Sequence, residues 1–194
     1  MLIKKQKLEG TYVVLEPLQT SHIKALQKAV MDGEAFNLWF ANVPQPEDMP
    51  AYVEQAIKAM EQGNIAYAVI SKQTGKLVGT TRYYNVDHAN KRAMIGYTWY
   101  ADSAKRTGIN TETKLLLLAN LFEASNAIAV EFRTHFFNHT SRAAIERLGA
   151  KQDGILRNHQ IMKDGSYRDT VIYSIIVSEW PAVRNNLLSK LQRN

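Results

Sequence analysis

The chain of 194 residues has no cysteine. That excludes disulfide bridges, thiolate metal ligands and an acyl-cysteine intermediate formed by the protein itself, and it suits a cytoplasmic setting. Long apolar runs are also missing. Leu115-Leu116-Leu117-Leu118-Ala119 is soon broken by Asn120 and Glu123, whereas a membrane helix needs roughly 20 apolar residues, so no membrane partner is expected. The opening Met1-Leu2-Ile3-Lys4-Lys5-Gln6-Lys7 is too poor in apolar residues, and lacks the small-residue cleavage site, to read as a secretory signal. No glycine-rich turn follows an early strand with an acidic residue further on, so a dinucleotide fold is not indicated. Repeats, linkers and low-complexity stretches are absent too.

What is present is an ordinary globular composition, 45% apolar and 22% charged, with a formal charge of +6. This length accommodates one core, and residues 1–194 read as a single domain. The basic balance favours anionic partners such as a phosphorylated cofactor. Lys4, Lys5 and Lys7 form the densest basic run, which reads as a solvated terminus. Basic residues are not interleaved with aromatics in any stripe, so nucleic acid, or a ribosome-associated role, rests on charge alone and is not the favoured reading.

Period and punctuation lay out the elements. Residues 11–16 read as a strand stopped by Pro17, and Thr20 or Ser21 can cap a helix carrying Ile23, Leu26 and Val30 on one face. Residues 34–62 read as helix in two pieces around Pro44-Gln45-Pro46. Strands follow at 65–71 and 76–86, joined by Gln73-Thr74-Gly75, and then at 93–100 after the turn Asp87-His88-Ala89-Asn90. A leucine-rich helix precedes a strand at 127–135, and Asn138 can cap a short helix that ends at Gly149. Strands 150–162 and 167–177 flank Asp164-Gly165, read as a type I′ turn, and Ser178 is placed to cap a last helix with Val183, Leu187 and Leu191 on one face. The sum is α+β: a mixed, mostly antiparallel twisted sheet flanked by helices.

The most informative stretch is Trp99-Tyr100-Ala101-Asp102-Ser103-Ala104-Lys105-Arg106-Thr107-Gly108-Ile109-Asn110. It leads from a strand through a basic turn into the first turn of a helix, where unpaired N–H groups and the helix dipole favour an anion. Lys105 and Arg106 add charge, and Gly108 would let a ligand approach the backbone. An ordinary strand–turn–helix connection would look the same locally. The strands on either side of this helix, 93–100 and 127–135, are expected to be parallel neighbours.

This turn, the order of elements, and Asn138-His139-Thr140-Ser141-Arg142 followed by Arg147-Leu148-Gly149-Ala150 together resemble the GNAT acyltransferase superfamily, in its ribosomal-protein N-acetyltransferase branch. The family's cofactor loop, Gln/Arg-x-x-Gly-x-Gly/Ala, is represented by Lys105, Gly108 and Asn110, two of the three departing from it. The resemblance implies a V-shaped splay between two central parallel strands that admits acetyl-CoA. It implies pyrophosphate on the N–H groups of Arg106, Thr107, Gly108, Ile109 and Asn110, and pantetheine on backbone groups of Trp99 and Tyr100 and on the Asn138 amide. Ser141 would protonate the departing thiolate. The early helices and strand 76–86 would line the acceptor side, which makes Trp39, Tyr83 and Tyr84 candidate acceptor contacts.

The implied activity is direct transfer of acetyl to an acceptor amine, either a protein N-terminus or a small molecule. A non-catalytic acyl-CoA-binding module is the alternative. Asn138 as a plain helix cap and Ser141 as a routine polar residue are the corresponding bland readings. Where the family carries a glutamate base, this chain has Gln160, also a candidate acceptor contact, and an amide cannot accept the proton. Adjacent His159 is of a titratable type, but strand alternation points it to the opposite face. His135 and His139 are separated by a strand-to-helix break, so no metal is expected. Exposed strand edges and the last helix leave room for a homodimer.

Overall fold

The computed structural model describes residues 3–193. Eight strands form one sheet in the order β1-β2-β3-β4-β5-β6-β8-β7: β1 Leu8–Glu9, β2 Val13–Pro17, β3 Ile65–Ser71, β4 Leu77–Asp87, β5 Arg92–Tyr100, β6 Ala129–His135, β7 Lys151–Ile161 and β8 Tyr167–Ile176. Every neighbouring pair is antiparallel except β5 and β6, which are parallel. A parallel pair needs a crossover connection, supplied here by α3 Gly108–Ala119. The remaining helices are α1 Ile23–Met31, α2 Met49–Met60, α4 His139–Leu148 and α5 Trp180–Leu191.

Two cores clothe the two faces of the sheet. One joins Ile109, Leu117 and Leu118 of α3, Ile145 and Leu148 of α4, and Val183 and Leu187 of α5 to inward residues of β2 to β6 and of β8. The other is smaller and joins Leu26 and Val30 of α1 and Val53 and Ala56 of α2 to Ala66, Ala68 and Trp99. Glu112 ties α3 to the sheet edge: its carboxylate accepts the N–H groups of Thr11, Tyr12 and Val13 at 2.8, 2.6 and 2.9 Å. Charge-assisted bonds of this kind are among the stronger ones in a fold.

Four expectations of the sequence need correcting. Residues 34–43 do not form a helix: a single 3-10 turn at Ala35–Asn37 is followed by irregular chain. The 162–166 turn is not type I′, because Gly165 alone has positive φ (+83°) and Met162 N–H donates to the Ser166 carbonyl. Type I′ needs positive φ at both central residues, and Asp164 instead accepts the Ser166 N–H and hydroxyl. Finally, α5 begins one residue later than the Ser178 cap implies, with Glu179 as its N-cap, and α1 is entered through a 3-10 turn capped by Gln19.

Candidate active site

The parallel pairing of β5 with β6 lasts only from Arg92–Ala129 to Met94–Glu131. Beyond it β5 stays with β4 and β6 stays with β8, so the two strands part and a V opens at their C-terminal ends. A bulge in β5 accompanies the parting. The β4 register jumps between Thr80 and Arg82, and Tyr97 adopts φ +50°, which is rare for a non-glycine residue. Ala101 N–H donates to Val78 O of β4. By alternation Tyr100 presents its N–H to the open V, while the Trp99 backbone turns toward β4. The Trp99 ring is buried in the α1–α2 core.

Because α3 follows β5 and α4 follows β6, both helices start at the open end of the V. The N-cap of α3 is Thr107, whose Oγ1 accepts the Ile109 N–H at 3.3 Å, leaving the Gly108 and Asn110 N–H groups without a partner inside the helix. Arg106, exposed, sits in the left-handed region at φ +59°. Lys105 is different: its ammonium is paired with Asp102, so it contributes less free charge than the sequence implies. A Cβ at Gly108 would lie 3.2 Å from the Tyr12 ring, so the missing side chain makes room for the protein's own tyrosine.

At the start of α4, Asn138 Oδ1 accepts the Ser141 N–H at 3.0 Å, which fulfils the cap reading. That bond commits the oxygen and leaves the amide's Nδ2 as an available donor. Ser141, half-buried, makes no hydrogen bond through its hydroxyl among the described residues. The helix is held rigidly. Arg142 donates to Tyr173 Oη at 3.1 Å, Tyr173 Oη donates to Glu146 at 2.8 Å, and Arg147 reaches Thr111 of α3 at 2.8 Å. Unpaired donors at two helix starts and a strand N–H facing the gap fit a long, phosphorylated thioester such as acetyl-CoA.

The α1–α2 side of the V carries the other candidates. Trp39, 57% exposed, packs edge-on against His135 at 4.9 Å at the end of β6. His135 Nδ1 accepts the Phe137 N–H, so the neutral ring carries its proton on Nε2, which is buried without a partner; burial holds the imidazole's pKa down. Tyr84 lies over Gly96 and against Tyr97, and burial pushes its phenol up to about 12. Tyr83 is a correction. It is fully buried on the opposite face, donating to Leu117 O at 2.8 Å, and has no access to an acceptor.

Gln160 is exposed and stands opposite Arg168 in register. The alternation argument for His159 fails, because β7 bulges between Leu156 and Gln160 with Asn158 at φ +48°. His159 Nδ1 therefore lies 2.9 Å from Thr170 Oγ1, a hydroxyl that also accepts from Arg168 Nε at 3.0 Å.

Two residues that the sequence reading passed over stand out. Lys114 is buried under the parting strands, its ammonium 2.7 Å from Thr98 Oγ1 and 3.4 Å from Thr81 Oγ1, and desolvation lowers its pKa to about 7. Its spacing from Thr111, Leu118 and Leu121, all buried, was a signal available in the sequence. On the other face Arg82 is stacked between Tyr52 and Tyr97; a lone arginine in an apolar strand was its only signal. No group of three or more His, Cys, Asp or Glu side chains converges among the described residues. No described helix is long and apolar enough to cross a membrane.

Residues 13–151 match the family model described as acetyltransferase (GNAT) domain. The chain is 33% identical over 176 residues to the "Putative ribosomal N-acetyltransferase YdaF" of Bacillus subtilis (strain 168), covering 88% of this chain and 92% of that protein. A GCN5-related N-acetyltransferase from Brucella melitensis superposes with a TM-score of 0.87 at 29% identity, covering 97% of this chain and 86% of that one. Mycobacterium smegmatis RimJ, solved in complex with CoA-disulfide, shares the fold with a TM-score of 0.81 at 20% identity, over 96% and 95% of the two chains.

Proposed function

Since the chain belongs to the GNAT acetyltransferase family, we propose that this N-acetyltransferase works through the V between β5 and β6, with acetyl-CoA on the α3–α4 side and an acceptor amine on the α1–α2 side. The observation that carries the reading is the three-residue limit of the β5–β6 pairing, from Arg92–Ala129 to Met94–Glu131, with two helix N-termini at the open end. The donor supplies an activated thioester. Residues 106–110 hold its phosphates through the Gly108 and Asn110 N–H groups and the Arg106 guanidinium. The Tyr100 N–H and the Asn138 amide, through Nδ2, hold the pantetheine arm. The same Tyr100 N–H also faces the negative charge that develops on the carbonyl oxygen.

Ser141 carries the acid role because its hydroxyl is uncommitted and sits one turn into α4. The amine attacks directly, with no covalent intermediate on the protein. The acceptor is an amine of a protein or a small molecule, with Trp39, Tyr84 and Gln160 on its side of the V, met in the cytoplasm by a chain that we expect to pair as a homodimer. YdaF's name, with its ribosomal reference, favours a protein acceptor.

The test has two parts. A panel of amines and N-terminal peptides, assayed with acetyl-CoA for CoA release, identifies a competent acceptor. With that acceptor, Ser141→Ala is expected to lower kcat by roughly ten- to a thousandfold while acetyl-CoA affinity, by calorimetry, stays within a few-fold. Full turnover in Ser141→Ala would make Ser141 structural. CoA binding with no turnover across the whole panel would favour the non-catalytic binding module.

A further inference from the structure

We propose that Arg82 anchors a carboxylate carried by the acceptor, so that the amine this enzyme acetylates is an acidic one; the inference rests on the N-acetyl-transfer reading above. Arg82 lies in the middle of β4 and is only 8% exposed, yet its Nε and Nη2 are buried without a hydrogen-bond partner. No carboxylate pairs with it among the described residues. A guanidinium cannot relieve such burial by giving up its proton. A buried cation with unsatisfied donors is costly, and that expense points to a ligand.

The surroundings define what kind of ligand. The guanidinium carbon lies 4.2 Å from the centre of the Tyr52 ring and 4.5 Å from that of Tyr97. The rings attract the cation through their faces, and such contacts leave the in-plane N–H edge unused. That edge is the part of arginine that matches a carboxylate with two parallel hydrogen bonds. The stack itself is fixed, because the Tyr52 hydroxyl lies 3.1 Å from Thr80 Oγ1, which donates to Tyr97 O at 3.2 Å.

The face around it is short of anions. Glu131, which β6 contributes, is held by Arg133 at 2.5 Å and by Arg92 at 3.7 Å. Arg168 donates to Thr170 and has no acidic partner in an ion pair among the described residues. The position also fits transfer chemistry. Arg82 pairs in register with Gly96, and Tyr97 is the bulge residue beside which β5 parts from β6. A carboxylate on Arg82 would hold the attached amine beside the mouth of the V. The ligand class is thus an amine with a nearby carboxylate: a peptide N-terminus with an acidic neighbour, or a free acidic amino acid.

The test uses acceptor pairs that differ only in this group. Peptides with Glu or Gln as the second residue form one arm, and the α-amides of glutamate and glutamine, which lack a competing α-carboxylate, the other; the arm that shows the preference identifies the source. In the wild type the acidic member is expected to exceed its amide by at least tenfold in kcat/KM, mainly through KM. In Arg82→Met the acidic member should fall to the level of the neutral one, and Arg82→Lys should keep part of the preference. Equal rates in the wild type, or a preference that survives Arg82→Met, overturn the proposal. A purely structural Arg82 would lower both members alike and leave their ratio intact. Thermal melts check folding, and Arg82→Lys carries the test if the Met variant does not fold. If wild type acetylates no amine, the transfer reading fails, and a calorimetric titration with glutarate decides the site by itself. Binding lost in the Arg82 variants supports it, and no binding to wild type overturns it.

Discussion

Lys114 and Arg82 are both buried cations at the parting of the central strands, and they occupy opposite faces of β4. Lys114 touches Thr81, and Arg82 is the next residue along the strand. They bear burial differently. The lysine rests on two threonine hydroxyls, and desolvation brings its pKa to about 7, so it can shed its charge. The arginine keeps its charge, flanked by two rings with part of its donor set unused. The cofactor-side cation can therefore be accommodated by titration alone, while the acceptor-side cation needs an external anion.

The largest effect expected from breaking this contrast is on stability. Lys114 binds a proton with a pKa of about 7 in the fold, against roughly 10.4 in an unfolded chain. Below both values each state is protonated and the burial penalty is complete. Between them the unfolded chain holds a proton that the fold does not, so stability rises with pH from about 7 to 10, by up to about 1.4 kcal/mol per unit from this group. Lys114→Met should raise the melting temperature at pH 7 and flatten that slope. A lower melting temperature with the slope intact would show that the ammonium is held by more than its two hydroxyls.

A smaller effect concerns the cradle on the same side. Arg106→Glu should weaken acetyl-CoA binding about tenfold at low salt, with a smaller loss at high salt. Arg106→Gly should weaken it less while holding or raising stability, because glycine removes the cost of the left-handed backbone at φ +59°. Calorimetry in two salt concentrations, beside thermal melts, separates charge from backbone. Unchanged affinity in both variants would remove Arg106 from the site.

The smallest effect belongs to the acceptor side. His159 Nδ1 is engaged with Thr170 Oγ1 at 2.9 Å, and the same hydroxyl accepts from Arg168 Nε, so the ring is tied to the sheet rather than presented to an amine. His159→Ala should therefore leave the kcat/KM profile against pH nearly unchanged, with the inflection following the amine's own pKa for two amines of separated pKa. An inflection that ignores the amine and vanishes in His159→Ala would make His159 the base.

The order of strands and helices was legible because it depends on local periodicity and on caps that act within a few residues. Asn138 bonding the Ser141 N–H and Gly149 closing α4 at φ +108° are of this kind. The V was implied only by the family resemblance of these motifs, and the short β5–β6 pairing shows where the strands part. Tyr83 and Tyr84 were not separable in this way. Alternation says that one faces each side, but only the packing of α3, whose Leu117 carbonyl accepts the Tyr83 hydroxyl, decides that Tyr83 is the buried one. His159 was misplaced because alternation holds only in an unbroken ladder, and the bulge at Asn158 reverses the face.

The sequence by itself determined the α+β order, the crossover between two parallel strands, and the two helix starts that follow those strands, since these follow from residue spacing and backbone chemistry. Tertiary structure alone decided that Tyr12 fills the space beside Gly108, that Asp102 pairs with Lys105, and that Lys114 and Arg82 lie buried on opposite faces. Each of these depends on which distant segment comes to rest against a residue. The electrostatic state of a buried group is set by those neighbours and by the exclusion of water, and neither is encoded in local spacing.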